Sequence, residues 1–113
     1  MNHPTRYCFA IDLKNNANRI AEYDEYHKNV WREIIEHHRG SGITSMDIYR
    51  AGNRLFMIME VAENFSFEGK AMRDNNSEKI REWEKLMSRL QQPLPFAKPG
   101  EKWVLMNKVF SLT

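Results

Sequence analysis

One cysteine, a net charge of only +2 and no apolar run near the roughly 20 residues of a membrane-spanning helix: what is scarce in these 113 residues excludes several classes at once. Cys8 has no partner for an internal disulfide, and neither it nor the four histidines fall into the paired spacing of a zinc site. No metal or other cofactor is expected. The 17 basic and 15 acidic residues are interspersed, so there is no basic stripe that would bind nucleic acid by counterion release. Met1-Asn2-His3-Pro4-Thr5-Arg6 lacks the apolar stretch of a signal peptide, which with the missing membrane span gives the expectation of a cytoplasmic protein. Linkers, repeats and low-complexity segments are also missing, so residues 1–113 are read as a single domain with one modest core.

What is present is clear periodicity. Residues 6–13 are aromatic and branched, and alternation places Tyr7, Phe9, Ile11 and Leu13 on one face of a strand and Cys8, Ala10 and Asp12 on the other. Ile20, Tyr23, His27, Val30, Trp31, Ile34 and Ile35 then recur at helical spacing, which predicts one helix running to about His38 and ended by Gly40 and Gly42. Residues 43–50 and 54–61 read as two strands of a hairpin turning at Ala51-Gly52-Asn53. A helix capped by Asn64 and starting near Phe65 follows. Asp74-Asn75-Asn76 interrupts it, and Ser77 caps a second piece carrying Ile80, Trp83, Leu86, Met87 and Leu90. Beyond a proline-bearing loop, Lys102 to Leu112 alternates as a last strand.

The order strand, helix, strand, strand, helix, strand is that of the α+β ferredoxin-like βαββαβ fold, with both helices on one sheet face. The uncovered face of so small a sheet would be a large apolar patch. It should line a pocket, meet a second subunit, or do both. The expectation is a homodimer with facing antiparallel sheets, a dimeric α/β barrel.

Tyr23, His27 and Trp31 form one inward stripe at four-residue spacing. An imidazole among aromatic rings is a usable general acid or base near neutral pH. From spacing alone, a core histidine satisfied by its neighbours is the commoner outcome. Trp31 and Trp83 offer flat apolar faces but are also ordinary core aromatics. Asp12, Asp47 and Glu60 fall on strands, where an inward carboxylate is costly unless paired or used. His37 and His38 suit the negative end of a helix dipole without any function, and Cys8 reads as a small buried residue.

Five strings in the same order give the chain a resemblance to a known family: Glu22-Tyr23-Asp24-Glu25-Tyr26-His27 with Val30-Trp31, then Ile48-Tyr49, Asn53-Arg54-Leu55-Phe56 leading to Glu60, Trp83-Glu84-Lys85-Leu86-Met87, and Val109-Phe110-Ser111-Leu112. Together they resemble the L-rhamnose mutarotase family, enzymes that interconvert the α and β anomers of a 6-deoxy-hexose in sugar catabolism. The resemblance implies a cofactor-free isomerase in which His27 is the proton donor and Tyr23 binds the sugar. Rhamnose-specific members carry a tyrosine at the place of Met46 and two adjacent tryptophans at the place of Trp83-Glu84. Trp83 is therefore carried over, while Met46 and Glu84 are expected to alter which sugar is recognised. The string Gln92-Pro93-Leu94-Pro95 with Lys98-Pro99-Gly100-Glu101-Lys102-Trp103 is similar to a branch associated with L-fucose. Asp12 and Glu60 are candidates for a second acid or base, as is a water held by Tyr23. Two other readings rest on fold analogy: a non-catalytic dimeric module that binds a small molecule, and a dimeric-barrel oxidoreductase with haem or a quinone-like substrate.

Overall fold

The computed structural model describes residues 5–113; Met1–Pro4, part of the segment read above for a signal peptide, lie outside the described residues. The elements are β1 (Arg6–Leu13), α1 (Ala17–Lys28), α2 (Arg32–Gly40), β2 (Ile43–Ala51), β3 (Arg54–Val61), α3 (Phe67–Asn75), α4 (Glu78–Ser88), β4 (Gln91–Gln92) and β5 (Val104–Leu105). Among the described residues no helix is long and apolar enough to cross a membrane.

The strands form one antiparallel sheet in the order β2-β3-β1-β4, with β5 pairing farther along the same edge of β1. This is the ferredoxin-like arrangement expected from the order of elements. Gly52, at φ +61°, supplies the left-handed residue that the two-residue turn between β2 and β3 requires. Pairings such as Asp12 with Arg54 and Arg6 with Glu60 put those residues on one face, and the alternate set Phe9, Ile11, Leu13, Leu55, Met57 and Met59 on the other. The helices cover the second set. Ile11, Leu13, Tyr23, Ile34, Leu55, Ile80, Trp83, Met87 and Leu90 make the main core there, and Ile43, Met59 and Val61 a smaller one.

Three boundaries differ from the sequence reading. The first helical region is two helices, with α1 ending at Lys28 and Trp31 occupying an extended position before α2. Val30 and Trp31 keep the apolar period, yet the chain leaves the helix at Asn29 and turns the Trp31 ring onto Trp83 at 5.1 Å. The third helix starts two residues later than expected, at Phe67 and not near Phe65, because Ser66 and not Asn64 caps it by accepting from Gly69 N–H. The last strand shrinks to Val104–Leu105, paired with Ala10 and Phe9 of β1; beyond it Met106 N–H donates to the Cys8 carbonyl, and the rest of the segment forms no strand. Ser77 caps α4 as expected, accepting from Ile80 N–H.

Candidate active site

Asn16 fixes the start of α1 by accepting from the N–H groups of Asn18 and Arg19. Farther along, Arg50 of β2 clasps Asp24 with two hydrogen bonds of 3.0 and 2.6 Å. The helix is thereby held across the sheet, and Tyr23 and His27, one turn apart, point toward the strands.

A cavity of about 580 Å³ lies between sheet and helices. Its floor is Phe9, Met46, Ile48, Met57 and Met59 from the strands, and its walls are Tyr23 and His27 from α1, Ile34 and His38 from α2, and Trp83, Glu84 and Met87 from α4, with Gln91 and Trp103 completing it. This size and mixture, mostly apolar with a few polar groups, suits a small ligand. Of the two uses expected of the uncovered sheet face, a pocket or a second subunit, this cavity supplies neither, because it lies on the helix-covered face. A larger, shallower cleft of about 890 Å³, between the end of α2 and the start of α3, is lined mainly by polar surface groups and holds none of the sequence-predicted site residues.

His27 lies between two aromatic rings of the cavity. Its ring stacks on Tyr23 with centroids 4.1 Å apart and meets Trp83 edge-on at 5.5 Å. Nδ1 is 2.8 Å from the carbonyl oxygen of Tyr23, which can only accept, so Nδ1 carries the proton and Nε2 is left with its lone pair. Burial lowers the His27 pKa below the usual histidine value, against the opposing pull of that carbonyl and of Asp24. At neutral pH the ring is an uncharged base. Tyr23, only 3 % exposed, has a phenol pushed well above its ordinary range by burial and by the carboxylates of Asp24 and Glu84, so it stays a neutral donor.

Glu84 is the only carboxylate in the cavity lining. Although its side chain reaches the surface beside Lys102, at 3.8 Å, burial raises its pKa while Lys102 and Lys70 oppose the rise. Trp83 is 6 % exposed and braced by Tyr26 and Trp31 as well as His27. Met46 lies in the floor. Of the residues singled out from sequence, His27, Tyr23, Trp83, Met46 and Glu84 are thus brought together.

Asp12 and Glu60 are not. Both lie on the uncovered face of the sheet, away from the cavity, and both are already engaged. Asp12, 7 % exposed, takes two hydrogen bonds from Arg54, of 2.8 and 3.2 Å, and Glu60 pairs with Arg6 at 3.0 Å. The second acid or base assigned to them from sequence is therefore corrected: strand alternation turns their carboxylates away from His27. Trp31 also leaves the stripe, backing Trp83 from outside the cavity lining. Sequence reasoning did not assign Gln91, His38 or Trp103 to the lining: His38 was read as a helix-end residue without function, and Trp103 stood in the string similar to the L-fucose branch.

The comparisons with known proteins converge on one family. The family model described as L-rhamnose mutarotase matches residues 6–112. An L-fucose mutarotase of Xanthomonas campestris pv. campestris is 39 % identical over 110 residues, covering 96 % of this chain and 88 % of the relative. A UPF0734 protein of Dictyostelium discoideum is 36 % identical over 110 residues, covering 94 % and 88 %. In fold, the crystal structure of an L-rhamnose mutarotase from Formosa agariphila matches with a TM-score of 0.71 at 19 % identity, covering 97 % of this chain and 100 % of that one. Tetracenomycin F2 cyclase from Streptomyces glaucescens shares the fold at a TM-score of 0.59 and 12 % identity, covering 97 % and 98 %. With the match running from the first strand to the C-terminal segment, this chain belongs to the L-rhamnose mutarotase family, whose members are carbohydrate-acting isomerases.

Proposed function

We propose that this protein interconverts the α and β anomers of a 6-deoxy-L-hexose, with L-fucose favoured over L-rhamnose, in the cytoplasmic catabolism of such sugars. The observation that carries the reading is His27, held as an uncharged Nδ1–H tautomer in a cavity of monosaccharide size beside Tyr23 and Trp83.

Mutarotation opens the ring, turns the aldehyde about its bond to C2 and closes the ring again. Opening requires a proton to leave the anomeric hydroxyl and a proton to reach the ring oxygen. Both oxygens are bonded to the same carbon, so one imidazole reaches both. Nε2 of His27 accepts the first proton, and the resulting imidazolium is the donor to the ring oxygen; closure runs the same steps backwards. Proton count and electron count are unchanged, and no cofactor enters. The neutral Tyr23 phenol donates to a sugar oxygen and holds the ring against His27, Trp83 packs against the apolar face of the sugar, and Glu84 accepts from a hydroxyl at the mouth of the cavity.

The L-fucose preference rests on the 39 % identity to an L-fucose mutarotase and on Met46 and Glu84, which differ in kind from the tyrosine and tryptophan of rhamnose-specific relatives. A homodimer with facing sheets is part of the proposal. The uncovered face carries Cys8, Phe56, Ile58 and Tyr49, the last 60 % exposed, with the Asp12–Arg54 and Arg6–Glu60 pairs on the same face. Saturation-transfer NMR with L-fucose, L-rhamnose and D-glucose in parallel tests the function. Faster anomer exchange for the two deoxy sugars, greatest for L-fucose, is expected; equal effects on all three would remove the substrate assignment, and tight binding without exchange would make the protein a carrier.

A further inference from the structure

Two residues that line the cavity each carry a buried polar atom without a partner. Gln91 Oε1 and His38 Nδ1 are sealed from water and accept or donate no hydrogen bond among the described residues. Both residues line the cavity that contains Tyr23 and His27. Buried polar atoms are paired in nine cases out of ten or more, roughly, and an orphan bears the full cost of its lost hydration. Here there are two, from separate elements, α2 and β4, in the lining of a single cavity.

Their surroundings define what would satisfy them. Gln91 is 8 % exposed, and its backbone is fixed in β4 opposite Leu13 of β1, so its amide is positioned by the sheet. A carboxamide accepts and donates at once, which matches a hydroxyl or a pair of neighbouring hydroxyls. The groups that act on His38 are His37, Lys70 and Asp74; His37 and Lys70 are themselves engaged by Asp74, at 2.8 and 2.6 Å. Burial, with Lys70 and His37, holds His38 down to about 4, so it is an uncharged imidazole at neutral pH. Both orphans are therefore neutral groups. They suit the hydroxyl groups of an uncharged polyol; Lys70 and Arg39 also line the cavity, Lys70 already paired with Asp74.

We propose that Gln91 and His38 are substrate-contacting residues whose side chains turn to hydrogen-bond hydroxyl groups of an uncharged sugar in the His27 cavity, Gln91 being the main determinant of affinity. The assignment rests on the mutarotase reading and adds specificity to it. An unpaired buried amide also weakens the empty protein, so affinity and stability are set against each other at this position.

Gln91→Met keeps volume and removes the polar atoms. With L-fucose as probe, its KM for anomer exchange is expected to rise about tenfold with kcat within about twofold, while the thermal midpoint of the empty protein rises by about 4 °C. An unchanged KM overturns the assignment, and so does a lowered midpoint, which would give Gln91 a structural role only. In the wild-type protein the side-chain amide signals of Gln91 are expected to shift in a ¹H–¹⁵N spectrum as L-fucose is added; unmoved signals during demonstrable exchange overturn the assignment without any variant. Wild-type protein that accelerates exchange while Gln91→Met matches its KM leaves the catalytic reading standing. Wild-type protein that accelerates no sugar removes both.

Discussion

The two faces of the sheet carry similar side chains and treat their polar groups in opposite ways. On the uncovered face Asp12 is paired with Arg54 and Glu60 with Arg6. On the helix-covered face, Gln91 Oε1 and His38 Nδ1 have no partner, and no hydrogen bond to Nε2 of His27 or to the Tyr23 hydroxyl is found among the described residues. Polar groups that stabilise a fold are satisfied within it, while groups that await a ligand are left open and held in place by their neighbours. The buried charge of Asp12 belongs to the first kind and the neutral ring of His27 to the second.

That contrast is broken most forcefully at Trp83, where core and cavity meet. Trp83→Ala removes a 6 % exposed ring packed on Tyr26, His27 and Trp31. A loss of about 3–5 kcal/mol in urea unfolding is expected, along with loss of sugar binding. On the other face, Asp12→Ala should lower the urea midpoint by less than Trp83→Ala does and leave the kcat of the folded fraction at the wild-type value, because the solvent-exposed Arg54 loses its partner but the cavity does not change. A fall in kcat there would mean that the two faces are coupled.

The pH dependence of stability sharpens the comparison further. His38 titrates at about 4 in the folded protein against 6.5 for the ordinary residue, so the unfolded chain binds the proton first as pH falls. The contribution of a neutral His38 is fully present above pH 6.5 and is lost progressively toward pH 4. His27, also lowered by burial, acts in the same direction. Urea midpoints should therefore fall on acidification, and His38→Asn should flatten that slope; an unaltered slope would mean that His38 is not buried in its neutral form. The smallest effect expected is on specificity. Met46→Tyr with Glu84→Trp restores the side chains of rhamnose-specific relatives and should move the ratio of L-rhamnose to L-fucose exchange rates upward by about tenfold, the worth of one or two contacts.

How much of this was legible beforehand depended on the kind of signal. Alternation in β1 and helical spacing in α1 are strong local patterns, and they placed Tyr23, His27 and the ferredoxin-like order correctly. The same alternation already separated Asp12 from Phe9. What it did not carry was which face the helices cover and where the cavity opens, since that depends on packing between distant segments. The break at Asn29 was hidden because Val30 and Trp31 continue the apolar period after the helix has ended. The over-long last strand has a related cause: Lys102 to Leu112 alternates well, yet alternation does not show where the segment stops pairing with β1. Gln91 carried no pattern at all, being a polar residue in a two-residue strand whose importance comes only from its burial.

The most direct measurement sets the two faces against each other in one experiment: saturation-transfer NMR of L-fucose with the wild-type protein, His27→Asn and Asp12→Asn. Wild-type and Asp12→Asn proteins are expected to exchange the anomers at similar rates, and His27→Asn to be slower by about 10²- to 10⁴-fold with an unchanged fold by circular dichroism. A folded His27→Asn protein that keeps the wild-type rate, or an Asp12→Asn protein that loses it, would contradict the assignment of the chemistry to the helix-covered cavity.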